Sequence, residues 1–386
     1  MRYYVAPNGT GFNTNLWNTP GFIPGDLVTT VNQIIANPSR GGDEIWAAGN
    51  NNVIGALYQG FYNLAGNPLV INQNREPLSI YGGFVGTERT LCDRNANIVS
   101  NDPANFPDFF QNPSILDGGG TNRVIEMQGA NVFLIDGFVV RNGDANQATG
   151  RNGGGVHVFD SNIIRFENMV FMDNVAGHFG GGLYMESTRN VIVNNTIFFN
   201  NDAVNPNNGG GGFCIVNCYY IKLVNLLFNA NTGNGAAAFI VDSNNVILTN
   251  STLAYNNVLT ATSSHLYCLN ANLDMYNSIL YPDRFDILPG QPQSTINVDY
   301  CLLSNNIPFA NLNFNNQNGL FFVNPNFVNP AARNFHLQPV SPCIDTGNAD
   351  YIFPLSATDL EGKPRFINNT AGATTIEVDM GAFEVQ

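Results

Sequence analysis

Along residues 164–166, 191–193 and 221–223 apolar and polar positions alternate with a period of two. Ile164 and Phe166 flank Arg165, Val191 and Val193 flank Ile192, and Ile221 and Leu223 flank Lys222. This alternation predicts short strands with one face turned to a core. The strands belong to a longer register. With Met127, Val158, Met185, Ile215, Ile240 and Tyr267 as anchors, about 25 to 31 residues apart, the tenth following residue is Gly137, Asn168, Asn195, Asn225, Asn250 or Asn277. The thirteenth is Val140, Phe171, Phe198, Phe228, Leu253 or Leu280, an apolar column, and in the middle rungs the sixteenth is Asn174, Asn201, Asn231 or Asn256. Length variation falls outside these offsets, in the Gly/Asn-rich stretches Gly150–Gly155, Asn205–Gly212 and Asn231–Ala238.

Units this short bury their apolar face only by stacking, so the repeat predicts an all-β fold: a single-stranded right-handed parallel β-helix with one continuous core. Asn stands where the chain must turn, and stacked Asn side chains bond to one another and to turn backbone. The columns at Asn168, Asn195, Asn225, Asn250 and Asn277 are therefore read as a structural ladder. Residues 1–114 are irregular and predict an N-terminal cap with first irregular rungs. Strands are expected at Tyr3–Val5, Glu44–Ala48 and Leu78–Tyr81, with a helix over Asp26–Ala36 in which Asp26 caps and Leu27, Val31, Ile34 and Ile35 share a face. Residues 115–296 form the rungs, and 297–386 read as last rungs and a short-strand C-terminal β cap, all within one solenoid domain.

Composition narrows the partners. The 386 residues carry a net charge of −14, with 44% apolar and only 11% charged residues. Lys222 and Lys363 are the only lysines. The charge argues against binding to nucleic acid or an anionic membrane surface, since both need clustered cations, and no apolar run suggests membrane insertion. The six cysteines lack paired metal-type spacing, and Cys301 with Cys343 is the pair expected if any is bridged. No metal or cofactor is indicated; calcium would need a dense acidic cluster that the rungs lack. Met1–Val5 opens without an export signal.

Several motifs carry a resemblance. They are Tyr3-Tyr4-Val5-Ala6-Pro7-Asn8-Gly9, Gly42-Asp43-Glu44-Ile45-Trp46, Tyr81-Gly82-Gly83-Phe84-Val85-Gly86-Thr87-Glu88, and the Gly triplets at Gly153 and Gly180. Near the other end come Ser341-Pro342-Cys343-Ile344-Asp345-Thr346-Gly347, Asp359-Leu360-Glu361-Gly362-Lys363-Pro364-Arg365 and Asp379-Met380-Gly381-Ala382-Phe383-Glu384. Together they resemble bacterial surface proteins of the pectin lyase-like β-helix fold with choice-of-anchor C-terminal segments. The resemblance implies an extracellular or cell-surface location. It specifies fold more than activity, because this fold hosts lyases, hydrolases and adhesins. Asp345, Asp359, Asp379 and Glu384 are expected to hold cap turns and pair with Arg365.

An enzyme on this scaffold would eliminate or hydrolyse an acidic polysaccharide. Elimination needs converging cations, and Arg165 and Lys222 stand two rungs apart with Ile192 between them. Hydrolysis needs two carboxylates, and Asp136 and Glu167 occupy equivalent positions on adjacent rungs with Arg165 close by. These are the candidate catalytic residues; the alternative is a salt-bridged group beside the Asn ladder, and bridging among them would favour it. His157 points outward beside Glu126 and Tyr184, and His157 with Tyr184 is the candidate sugar-binding pair. The outward column continuing through Cys214, Phe239 and Leu266 is apolar, so either a loop such as Asn201–Gly209 or another chain must cover it. The leading expectation is a non-enzymatic scaffold, adhesin or self-assembling surface element, with glycans or copies of itself as partners. The alternative is a polysaccharide lyase, glycoside hydrolase or carbohydrate-binding module.

Overall fold

The computed structural model describes residues 1–6, 26–37, 42–48, 50–51, 58–59, 61–72, 76–84, 88–94, 112–146, 150–205, 209–259, 264–282, 287–289, 294–304, 318–354, 357–366 and 378–385. Pro7–Gly9, Val85–Thr87 and Pro206–Asn208, which belong to motifs or loops named above, lie outside them. Among the described residues the strands form one sheet of eighteen strands, one of eight and a small one of four. Neighbouring rungs pair in parallel, and among the described residues antiparallel strand pairs join Asn50–Asn51 with Tyr58–Gln59 and Phe327–Asn329 with Asn334–Leu337, with an isolated antiparallel bridge between Thr358 and Pro364. The chain is a parallel β-helix. No described helix is long and apolar enough to cross a membrane.

The repeat register is a set of physical contacts. Val158 stands opposite Met127 and Met185, and Ile215 opposite Met185 and Ile240. These side chains are fully buried in one long core. Phe198 stacks between Phe171 and Phe228, with ring centroids 4.9 and 4.6 Å away and planes within 8°. One anchor is corrected. Ile240 pairs with Cys268, not Tyr267, so Leu266 and Cys268 enter the core while Tyr267 turns outward to stack on Phe239 at 4.7 Å. This rung is one residue shorter between anchor and ladder turn, and a run in which every side chain is apolar hides the shift.

Asn168, Asn195, Asn225, Asn250 and Asn277 all adopt left-handed backbone with φ between 48° and 53°, a conformation that Asn tolerates better than most residues. Asn225 donates through Nδ2 to Asn195 Oδ1 (2.9 Å), and Asn195 likewise to Asn168 Oδ1 (3.3 Å). The expected continuous ladder is nevertheless broken. Asn250 is fully buried and neither of its amide atoms has a hydrogen-bond partner. The reason is competition: Arg365 Nη2 takes Asn225 Oδ1 (3.1 Å), while Asn277 exchanges bonds with the backbone of Asn348. The unbroken ladder is the second one. Asn174, Asn201, Asn231 and Asn256 each pass Nδ2 to the next, and Asn256 Nδ2 lies 3.2 Å from His265 Nδ1.

At the N-terminal end the helix Leu27–Ala36 is capped by Asp26, whose carboxylate accepts from the Thr29 N–H at 2.7 Å. Leu27, Val31 and Ile34 lie in the solenoid core and Ile35 packs against it. The C-terminal segment is placed differently from a cap stacked on the last rung. It lies along the flank: Phe327, Phe335, Leu337, Cys343, Leu360, Met380, Ala382 and Phe383 share a second apolar cluster with Val139, Val170, Ile197, Leu227, Ala254, Ile279 and Leu302 of successive rungs. Cys301 sits in the main core and Cys343 in this second cluster, so the pair is not bridged, and none of the six cysteines forms a disulfide.

Candidate functional site

Asp136 and Glu167 pair directly across adjacent rungs, with Asn194 next in the same column. The two carboxylates do not stand free. Asp136 is buried, with Oδ2 held by Arg94 Nη2 at 2.6 Å and Oδ1 by Asn168 Nδ2 at 2.8 Å. Glu167 accepts from Arg165 Nη2. Burial pushes the Glu167 carboxyl up, and the nearby Asp136 adds to this while Arg165 opposes it. The expected neighbour Arg165 therefore engages Glu167, and a residue that sequence reasoning missed, Arg94, engages Asp136. Arg94 lies outside the repeat register. It is aimed by a short helical turn at Leu91–Asp93, where Asp93 Oδ2 accepts from the Thr90 N–H, and its Nη1 also donates to the Gly82 carbonyl.

Asp136 is also the end of the ladder. Hydrogen bonds run in one sense from Arg365 through Asn225, Asn195 and Asn168 to Asp136, with a guanidinium at the donor end and a carboxylate at the acceptor end. Aligned amides between opposite charges polarise one another. The Arg365 end is buried with Glu384 at 3.2 Å. Asp359, Asp379 and Glu384 accept backbone N–H groups of the C-terminal turns, those of Lys363, Val385 and Asp379 among them. Burial pushes Glu384 up to about 8, with Asp379 adding to the rise.

The candidate sugar-binding pair is covered. His157 lies beside Glu126 and Tyr184 as its register requires, but Tyr184 retains only 3% exposure and donates its hydroxyl to Glu186. Phe179 lies over Tyr184 and Phe239, at 6.4 and 5.8 Å between ring centroids. Gly209 fits only because it lacks a side chain: a Cβ there would stand 2.1 Å from the Phe239 ring. Cover thus comes from the Gly177-His178-Phe179 turn and from Gly209. Burial, with Arg123 nearby, holds His157 down at about 4, so it is neutral at ordinary pH. Leu266 is not part of this column; Tyr267 takes its place.

An open strip lies at the other edge of the rungs. Tyr219 and Tyr220 are 40% and 61% exposed, with Ile163 at 41%. Ile163, Asn190 and Tyr220 occupy one column of left-handed turn residues, with φ of 55°, 55° and 60°. Ile pays a steric penalty there that Asn avoids, and at this exposed corner core packing does not offset it. Tyr219 pairs with Arg189, and Lys222 lies in the column of Ile192 and Arg165. Arg189 and Lys222 are exposed. Beside them runs an amide row, Asn190 donating to Asn162 at 2.8 Å and Asn162 to Asn131 at 3.2 Å. The C-terminal segment borders the strip at Phe353, over which the Lys222 ammonium sits at 5.2 Å. The sequence signal was the doublet Tyr219-Tyr220 at a corner where other rungs carry Asn, Arg, Ile or Val.

Among the described residues no three His, Cys, Asp or Glu side chains group to hold a metal ion. No family model and no curated protein matches the chain. Solved structures do resemble it. Pectate lyase Pel9A is 15% identical with a TM-score of 0.43, covering 100% of this chain and 96% of its own. An alginate lyase from Paenibacillus sp. str. FPU-7 is 10% identical with a TM-score of 0.35, covering 76% and 97%. A pectate lyase from Bacillus sp. N165 in complex with trigalacturonate is 12% identical with a TM-score of 0.30, covering 81% and 84%. At such identities the likeness concerns fold alone, and the assignment of a parallel β-helix rests on the strand registers themselves.

Proposed function

We propose that this protein binds an acidic polysaccharide along the strip formed by Tyr219, Tyr220, Arg189, Lys222 and Arg165, and holds it without cleaving it. One observation carries the reading. In a chain of net charge −14, three cations on three consecutive rungs stand beside two exposed tyrosines. Tyrosine offers an apolar ring with a polar tip, suited to the face of a sugar; Arg and Lys meet its carboxylates; the Asn131–Asn162–Asn190 row faces hydroxyls. Holding without turnover is supported by the pairing of both carboxylates with arginines. Such binding suits a scaffold or adhesin at the cell surface.

The second reading is hydrolysis by Asp136 and Glu167. Its support is that the two stand one rung apart, about 5 Å, with Glu167 pushed toward its protonated form by burial. One experiment separates the readings: affinity electrophoresis through polygalacturonate, alginate and a neutral glucan, alongside assays for reducing ends and unsaturated uronates. Retardation by the acidic polymers without new ends, weakened by salt, is the expected result. Product formation that disappears in an Asp136→Asn, Glu167→Gln variant would replace binding with catalysis. No retardation by any acidic polymer would refute the proposal.

A further inference from the structure

The favourable charge of the strip ends partway along the solenoid. One outward column runs through Leu134, Arg165, Ile192, Lys222, Ile247, Asp274 and Asn297 on successive rungs. Arg165 and Lys222 stand two rungs, about 10 Å, apart, and Arg189 belongs to the rung between them. After Lys222 the sign reverses. Among the described residues of 234–304 there is no Lys or Arg, while Asp242, Asp274 and Asp299 are present. Asp274 accepts from Asn297 Nδ2 at 2.6 Å and Asp299 from the Tyr351 hydroxyl at 3.1 Å, donors that carry no charge to offset them. The C-terminal segment reinforces the boundary: Tyr351 stacks on Tyr276 at 3.9 Å, Asp350 beside it is exposed, and Phe353 meets Lys222. In the other direction the column continues as Leu134 and Ser79, half-buried and uncharged, before it reaches Glu44, which Arg2 pairs at 3.2 Å.

We infer that the strip takes an acidic polysaccharide end-on: the terminal sugars lie over the rungs of Arg165, Arg189 and Lys222, the chain end stands at Lys222, and the rest of the polymer leaves past Leu134. This inference rests on the glycan-binding reading above and adds to it which part of the polymer is held. A uronate carried on to the rung of Ile247 would stand about 5 Å from the rung of Asp274, inside the roughly 8 Å Debye length of physiological salt. Repulsion therefore opposes each sugar added beyond Lys222, and no unpaired carboxylate opposes one added on the side of Leu134 and Ser79.

The test is the length dependence of affinity, measured with the full chain by titration calorimetry against purified oligogalacturonates, from short oligomers to long polymer at fixed salt. An end-on site offers one register per molecule, so Kd per molecule is expected to stay within about twofold once the oligomer spans the three rungs. A strip open at both ends gains registers as the polymer grows, and its Kd falls in proportion to length. Asp274→Lys continues the cation column at a half-exposed position; it should keep the wild-type circular dichroism spectrum and make Kd fall by about fivefold or more between the shortest and longest oligomers. A wild-type Kd that falls in proportion to length, or a folded Asp274→Lys variant as indifferent to length as the wild type, would overturn end-on binding and leave the strip standing. Failure of the wild type to bind any oligomer or polymer would overturn both.

Discussion

The second Asn ladder is where a single side chain carries the most, and Asn231 is its centre. Its carboxamide is fully buried. Oδ1 accepts from the backbone N–H of Asn201 at 3.1 Å and from Asn201 Nδ2 at 2.9 Å. Nδ2 donates to the Phe198 carbonyl at 2.8 Å and to Asn256 Oδ1 at 2.9 Å. Asn231→Ala removes all four bonds. Two of the partners keep others: Asn201 Nδ2 still reaches the Phe171 carbonyl, and Asn256 Oδ1 still accepts the Asn231 N–H. The backbone N–H of Asn201 and the carbonyl of Phe198 lose a buried partner. At about 1–3 kcal/mol for each orphaned group and about 1 kcal/mol for a bond lost between groups that keep another, the cost is about 4–8 kcal/mol. The assay is equilibrium unfolding in urea, with the slope compared between variants, since a changed slope would signal that rungs unfold separately. Asn200→Ala, which deletes an exposed bond to Asp173, is the control, expected within about 0.5 kcal/mol of wild type. A loss below about 1 kcal/mol for Asn231→Ala at unchanged slope would refute the ladder as a major source of stability.

Other expectations follow from the buried charges and the strip. Glu384, with a folded-state value of about 8 against an ordinary 4.5, holds its proton longer in the folded chain. It therefore favours docking of the C-terminal segment below about pH 4.5, and that contribution is lost as pH rises through 8; Glu384→Gln should flatten the fall of the urea midpoint over this range. Arg94→Met leaves Asp136 buried with only Asn168 as a side-chain partner and should cost about 3 kcal/mol in the same unfolding assay. Tyr220→Ala is expected to weaken retardation by acidic polymers at least tenfold while leaving the melting temperature within a degree or two, because its ring is mostly in solvent.

Much of the architecture was legible in the residues because each rung must satisfy the same constraints. Period-two alternation shows which side chains enter the core, and equal offsets to Asn place the left-handed turns, since stacked rungs cannot shift without turning every side chain to the other face. Where a run was apolar throughout, as at Leu266–Leu269, alternation carried no information, and the register slipped by one residue. The pairing of Asp136 with Glu167 was legible for the same reason as the ladder. What surrounds them was not. Arg94 reaches Asp136 across 42 residues of sequence and Arg365 reaches Asn225 across 140, and no periodicity encodes such contacts. Only the tertiary structure decided that the carboxylates are paired with arginines, that the C-terminal segment runs along the flank and interrupts the ladder at Asn250, and that Tyr184 is covered while Tyr219 and Tyr220 stay open. Local pattern determines which way a side chain points; what meets it there depends on segments that pack from far along the chain.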